Sequence, residues 1–279
     1  MTLTVSYAQN CEDIVLERLF KARGPGRYID VGAGDPDFES VTKLFYERGW
    51  RGINVEPNPT LFSRLAAARP EDINLQLALS DKPGRANLHS YDNPAAWGYA
   101  TISEETVSRD GNFSRVNEVE VSTLGILCEK YGGGMPFDFL KIDVEGHEKN
   151  VILGVDWSLL RPRTIVVEAV RPGSHTPNHD EWEHLLLAAG YRFVLFDGLN
   201  RFYVGDEDEE AASLLSSPAS VLDSYIAVNH VRALLALQQL KASLAAAQSE
   251  SAELARDAEQ LTRRTEQLQS ALAALTTAL

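Results

Sequence analysis

The chain has 279 residues, 44% of them apolar, enough for one well-buried domain with further structure beside it. Forty acidic against 26 basic side chains give a formal charge of −14, which argues against nucleic acid and anionic lipid as partners, since both are held chiefly by Lys and Arg. Two cysteines, Cys11 and Cys128, are too few for a disulfide framework or a zinc cluster, so free thiols are expected and no function is assigned to them.

The first residues, "MTLTVSYAQNCED", have neither the basic nor the apolar stretch of a secretory leader, and no apolar run reaches the ~18 residues of a membrane helix. A soluble, cytoplasmic protein is the expectation. "SYAQNCED" reads as a capped helix start. Then β-rich runs alternate with amphipathic ones. "RYIDVG" (27–32), "RGINVEP" (51–57), "INLQLALS" (73–80), "FDFLKIDV" (137–144) and "RTIVVEA" (163–169) read as strands, with helical patterns such as "SVTKLFYERG" and "LFSRLAAAR" between them. That alternation predicts an α/β fold, a doubly wound parallel sheet with helices on both faces. "YRFVLFDGLNRFYVG" (191–205) reads as a hairpin closing the sheet with an antiparallel pair, the usual ending of class I methyltransferases and unusual in other nucleotide folds.

Composition changes near residue 205, so the domains are read as 1–205, an acidic linker and connecting segment 206–228 ("GDEDEE", "SSPAS"), and 229–279. In the last part a 3,4,3,4 spacing runs without a break from Leu237 to Leu279 through Leu240, Leu244, Ala247, Ser251, Leu254, Ala258, Leu261, Thr265, Leu268, Leu272 and Leu275. This is the seam of an α-helical coiled coil. A single helix packed on the domain is the alternative, but its period would drift off the heptad. Self-association as a dimer or trimer is expected, with a parallel stalk carrying several domains, and the coil is expected to continue in a longer natural protein.

Three strand ends describe a nucleoside site. Gly32 and Gly34 in "YIDVGAGDPDFES" let the backbone turn at the carboxyl edge of the sheet, while Asp37 occupies the place of the third glycine of a dinucleotide fingerprint. A nicotinamide-dependent oxidoreductase is thereby disfavoured. Glu56 in "NVEPNP" stands where an acid accepts ribose hydroxyls, or else caps the next helix; Asp81 in "ALSD" bonds an adenine amino group, or else forms a turn.

"SYAQNCEDIVLERLF", "YIDVGAG", "GINVEPNP", "ALSD" and "FLKIDVEGHE" together resemble the FkbM-type methyltransferases, which move a methyl group from S-adenosylmethionine to hydroxyls of sugars and polyketides. The resemblance covers about residues 5–205 and leaves out the coil. It implies that Gln9 and Asp13 help to hold the cofactor, and the full set it suggests is Gln9, Asp13, Asp30, Gly32, Gly34, Glu56, Ser80, Asp81 and Asp143. Asp35-Pro36-Asp37 departs from the small residue that often follows the glycine loop in the family.

"KIDVEGHEKN" closes the fourth strand at the edge where open α/β sheets place reacting groups. His147 is the expected general base, with Asp143 or Glu145 orienting it; such a base contributes roughly 10²- to 10⁴-fold. The bland reading makes it an exposed histidine at a helix start. Glu168 opens onto the same edge, so Asp143 and Glu168 form a candidate site for Mg2+ or Mn2+, a thin case on two carboxylates. The expected function is O-methylation of a sugar hydroxyl in a bacterial surface polysaccharide, with glycosyltransferases as further partners. The alternative is a non-catalytic assembly or spacing module that retains the cofactor-binding domain.

Overall fold

The computed structural model describes residues 3–278, and of residues 275–278 the backbone alone. The chain divides into two compact units, one ending at Ala227 and the other beginning at Val228.

The first unit begins with β1 (Thr4–Ser6), α1 (Glu12–Phe20), β2 (Arg27–Val31), α2 (Lys43–Glu47), β3 (Arg51–Val55), α3 (Pro59–Ala68) and β4 (Ile73–Leu75). There follow β5 (Ala78–Leu79), β6 (Gly84–Ser90), α4 (Glu104–Asp110), β7 (Arg115–Ser122), α5 (Leu124–Tyr131), β8 (Phe139–Ile142) and α6 (Glu148–Leu153). It closes with β9 (Thr164–Glu168), α7 (Glu183–Ala188), β10 (Tyr191–Phe196), β11 (Asn200–Gly205), α8 (Glu209–Leu214) and β12 (Tyr225–Ala227).

Seven strands form the main sheet in the order β10-β11-β9-β8-β2-β3-β4, and β11 alone runs against the others. Alternation along each strand explains the two cores. Ile29, Val31, Leu140, Ile142, Ile165 and Val167 face one way, onto Leu124, Val151, Trp182 and Leu186. Tyr28, Phe139 and Val166 face the other, onto Leu16, Phe20, Phe45 and Trp50. Because the chain winds from β2 through β3 to β4 and then returns to β8 and β9 on the far side of β2, the carboxyl ends of β2 and β8 leave a crevice between their loops.

Four departures from the sequence reading stand out. "INLQLALS" is not one strand: it breaks after Leu75, and Ala78–Leu79 joins a second sheet of order β5-β7-β6. The sequence reading gave β6 and β7 no element, because in "RVNEVEVS" only Val119 and Val121 are buried. The helix after "SYAQN" starts at Cys11 in a left-handed conformation (φ 63°) with no side-chain cap. The acidic segment 206–227 is folded onto the first unit instead of linking two domains. Asp208 caps α8 by accepting from the Ala211 N–H, Ala211 and Leu215 are buried in the core beside α1, and β12 pairs in parallel with β1.

The second unit is one helix, α9 (Val228–Ala278). Its seam leucines from Leu237 to Leu272 are exposed; Leu279 lies outside the described residues, as does the side chain of Leu275.

Candidate active site

The loop after β2 crosses the end of β8, and glycine is required there. Gly32 has φ 75°, and a Cβ on it would lie 1.8 Å from the Asp143 carbonyl oxygen. Gly34 (φ 63°) meets no neighbour within 4 Å and turns its N–H onto Glu56 Oε2 at 2.8 Å. The other oxygen, Oε1, accepts from the Asn58 N–H at 2.8 Å, and Asn58 in turn caps α3 through Oδ1. Glu56 therefore braces both the glycine loop and the entry to α3, which reconciles its two sequence readings in part. Burial pushes its carboxyl up to about 7, against the opposing pull of those N–H groups and of Lys141.

Behind the loop lies a buried cation that the sequence reading passed over. Lys141 Nζ donates to the Gly32 carbonyl oxygen at 2.6 Å and stands 3.3 Å from Asp143 and 3.5 Å from Asp30. Burial works against its charge, but Asp143 and Asp30 outweigh it and hold the ammonium above the ordinary lysine range. Asp30, 1% exposed, is engaged by Lys141 and by the Thr42 hydroxyl at 2.6 Å, so it supports the site from beneath and does not line it.

One cavity spans these strand ends. Its lining includes Gln9, Gly32, Gly34, Glu56, Lys141 and Asp143 of the sequence-level motifs, and adds Glu145. Ligand oxygens of Asp143, Glu145 and Glu168 lie within 4.8 Å of one another. Glu145 Oε2 and Glu168 Oε2 are buried with no hydrogen-bond partner. Both carboxyls are raised well above the ordinary range, first by burial and next by the Asp143 charge. A group of hydroxyls, an ammonium or a divalent ion would satisfy them, so the donor set fits the Mg2+ or Mn2+ considered for it. Thr101 and Thr106 hold the cluster in place by donating their hydroxyls to the Glu145 carbonyl, at 2.9 and 3.2 Å.

The opposite wall comes from the β5-β7-β6 insertion, which the sequence reading left blank. Asn93 caps the turn Pro94–Tyr99, which puts Trp97 and Tyr99 onto the cavity, with Ala78, Leu79, Leu61 and Ile102 as its apolar part. The Arg64 guanidinium sits 5.6 Å from the Trp97 ring and pairs with Asp35 at 2.8 Å, joining α3, the glycine loop and that turn. Tyr99 has its hydroxyl pushed up by burial and then by Glu39, Glu145, Glu168 and Asp143, which puts it within reach of the acidic cluster's field. Only the spacing Trp-Gly-Tyr after a Pro-led turn signals this wall in the sequence.

Besides Asp30, five expected site residues are absent from the cavity lining: Glu168, which adjoins it only through its cluster with Asp143 and Glu145, and His147, Ser80, Asp81 and Asp13. His147 is not on the cavity: its Nε2 is 3.0 Å from Ser80 Oγ, while Ser80 donates to Asp81 Oδ1 at 3.1 Å. Ser80 has a single proton to give, so Nε2 donates to Ser80 Oγ when that proton goes to Asp81; it is the side chain's place off the cavity lining, and not its tautomer, that keeps His147 from an acceptor held there. Burial lowers its pKa, opposed by Asp81. Ser80 and Asp81 are likewise off the cavity, because the chain turns away after Leu79. Asp13 is fully buried and accepts from Ser6 Oγ, the Tyr7 N–H and the Ile14 N–H at 2.7, 2.7 and 2.9 Å; it shapes the turn that carries Gln9 and does not reach the cavity.

Residues 30–193 match the family described as Methyltransferase FkbM domain. No curated protein matches the sequence at a significant level. Solved structures give loose likenesses. A TehB-like SAM-dependent methyltransferase from Corynebacterium glutamicum aligns at 8% identity and a TM-score of 0.37, over 70% of this chain and 86% of that one. Precorrin-6y C5,15-methyltransferase from Geobacter metallireducens aligns at 13% and 0.37, over 70% and 87%. CalO1, a methyltransferase in calicheamicin biosynthesis in its SAH-bound form, aligns at 14% and 0.32, over 70% and 54%.

Proposed function

The chain belongs to the FkbM methyltransferase family, and on that premise we propose that it is an O-methyltransferase acting on a sugar hydroxyl. The observation that supports this reading most is a single cavity lined together by the Glu56 carboxylate, the glycine loop, Asp143, Glu145 and the Trp97 and Tyr99 rings.

When bound, S-adenosylmethionine supplies an electrophilic methyl group on a positively charged sulfur. The residues fit it. Glu56 offers lone pairs to ribose hydroxyls, the open space at Gly34 admits a close approach, and Leu61, Ala78 and Leu79 give an adenine its apolar wall. The acidic lining favours a cationic ligand and loses that attraction once the methyl has gone.

On the acceptor side, Trp97 and Tyr99 suit the apolar face of a sugar ring, and the carboxylates accept from vicinal hydroxyls. Burial raises the Glu145 and Glu168 carboxyls, which makes each a stronger base once ionised, so one of these two, or Asp143 beside them, takes the acceptor proton in place of His147. A Mg2+ or Mn2+ ion held by the same three would lower the pKa of that hydroxyl. A bacterial surface polysaccharide is the acceptor polymer we favour, with glycosyltransferases as neighbours and self-association through α9; these rest on the family's habits and on the seam. Among the described residues no helix is long and apolar enough to cross a membrane.

Calorimetry with S-adenosylhomocysteine, then transfer of labelled methyl from S-adenosylmethionine to a panel of neutral glycosides, tests the reading. Binding with label recovered as a methyl ether supports it. Label recovered on nitrogen or carbon would overturn O-methylation, and no binding would overturn the cofactor site.

A further inference from the structure

The helix α9 has a feature that bears on how it meets its partner. In heptad terms its a positions are Leu237, Leu244, Ser251, Ala258, Thr265 and Leu272, and its d positions Leu240, Ala247, Leu254, Leu261 and Leu268, all exposed. Glu250, Asp257 and Arg264 flank this seam at successive g positions.

In a parallel pair each seam residue meets its own copy. Ala247, Ser251, Ala258 and Thr265 would then form four small or polar layers, poorly filled against the Leu layers around them. Asp257 would face Thr262 and Arg264 would face Gln269, so the flanks would bring no attraction. The Thr265 hydroxyl already donates to the Leu261 carbonyl within its own helix at 2.9 Å, and needs no threonine opposite.

Turning the second helix around changes every layer. An a position now meets a d position, and g meets g. In one register Ser251 lies on Leu268 of the other copy, Ala258 on Leu261, Thr265 on Leu254 and Leu272 on Ala247, so each layer holds at least one leucine and the small residues meet large ones. The same register puts Asp257 opposite Arg264 twice over. A shift of one heptad one way replaces those pairs with Arg264 against Arg264; the other way sets Asp257 against Asp257 and, although it brings Glu250 opposite Arg264, puts Thr265 on Ala247 in layers that hold no leucine.

We infer that α9 pairs antiparallel with a second copy of this chain in the Ala258–Leu261 register. The inference rests on the self-association proposed above and goes beyond it by fixing partner, orientation and register. At 1.5 Å per residue this register puts the two Val228 residues on the order of 95 Å apart along the paired helices.

Disulfide trapping in the full chain, with Cys11→Ser and Cys128→Ser as background, reads the orientation. Leu254→Cys alone and Thr265→Cys alone should give no cross-linked dimer on a non-reducing gel, and the two substitutions together should give one. Self-linking of either single variant would overturn the antiparallel pairing. Sedimentation of chains that keep both native cysteines supplies a second arm. Asp257→Arg should weaken the dimer by roughly tenfold or more, and Asp257→Arg with Arg264→Asp should restore it. A single reversal without effect would overturn the register. A monomer at tens of micromolar would sink self-association itself, whereas an oligomer with self-linking Leu254→Cys would sink only this arrangement.

Discussion

Lys141 donates to the carbonyl oxygen of Gly32, tying the end of β8 to the turn after β2 from 109 residues away in sequence. The same ammonium lies between Asp30 and Asp143. It thus offsets part of the charge of one carboxylate beneath the cavity and one on its lining, and fixes the backbone that a cofactor would approach.

Lys141→Met should leave Asp30 and Asp143 as uncompensated neighbours. Breaking a buried ionic group by removing one partner costs roughly 3 to 5 kcal/mol, so a large fall in thermal stability is expected together with weaker S-adenosylhomocysteine binding. Scanning calorimetry and titration calorimetry check both; wild-type values in each would remove Lys141 from this role.

Glu56→Ala takes away the acceptor of two backbone N–H groups and the proposed ribose contact. Cofactor affinity should drop by about 1 to 3 kcal/mol. Unchanged affinity would mean that the ribose lies elsewhere.

His147 separates the two accounts of the base. As a strut holding the Ser80–Asp81 turn it should matter for stability, so His147→Ala is expected to cost about 1 kcal/mol of folding free energy while kcat stays within roughly threefold. A loss of roughly 10²-fold in kcat at unchanged stability would restore the catalytic reading.

Metal dependence follows from the three-carboxylate cluster. Excess chelator should lower turnover and added Mg2+ or Mn2+ should recover it, with a matching rise in thermal midpoint on adding the ion to the free protein. Full activity in chelator would leave Asp143, Glu145 and Glu168 as hydrogen-bonding groups and proton acceptors.

Glu12 gives a pH dependence whose sign is fixed. Its carboxyl, buried between Asn10 and Asn200, is pushed up to about 8 by burial and then by Asp197, while an unfolded glutamate titrates near ~4.3. The fold therefore prefers the protonated form. That contribution is complete below the unfolded value and is lost as pH rises through about 8. Glu12→Gln, neutral throughout, should gain on the wild type in thermal midpoint from pH 5 to pH 9; parallel curves would refute the assignment.

The parts of the molecule readable from sequence were those with a repeating apolar signal. The strands "RYIDV", "RGINV" and "FLKI" carry runs buried on both faces, and their ends took Gly32, Glu56 and Asp143 to one cavity with them. "RVNEVEVS" buries a single face, so its polar positions hide the strand, and with it went Trp97 and Tyr99. His147 was misplaced for a different reason. Four residues separate it from Asp143, but Glu145 (φ 56°) and Gly146 (φ 92°) reverse the backbone between them and send the two side chains to different neighbours. Such a reversal has no signature in a spacing rule written for regular helices and strands.

The small sheet β5-β7-β6 encloses a core of its own, built from Ala78, Leu88, Val119 and Val121 and separate from the two cores of the main sheet. It bears the wall with Trp97 and Tyr99, whereas Gly32, Glu56 and Lys141 belong to the other scaffold. On the proposed reading the rings that would meet the acceptor ride on this small sheet, while the glycine loop and Glu56 are set by the main sheet, and Ala78 of the small core touches the proposed adenine wall as well. Substitutions at Trp97 and Tyr99 would then retune which molecule is admitted, whereas reshaping the small core around Ala78 would disturb the methyl donor's berth too.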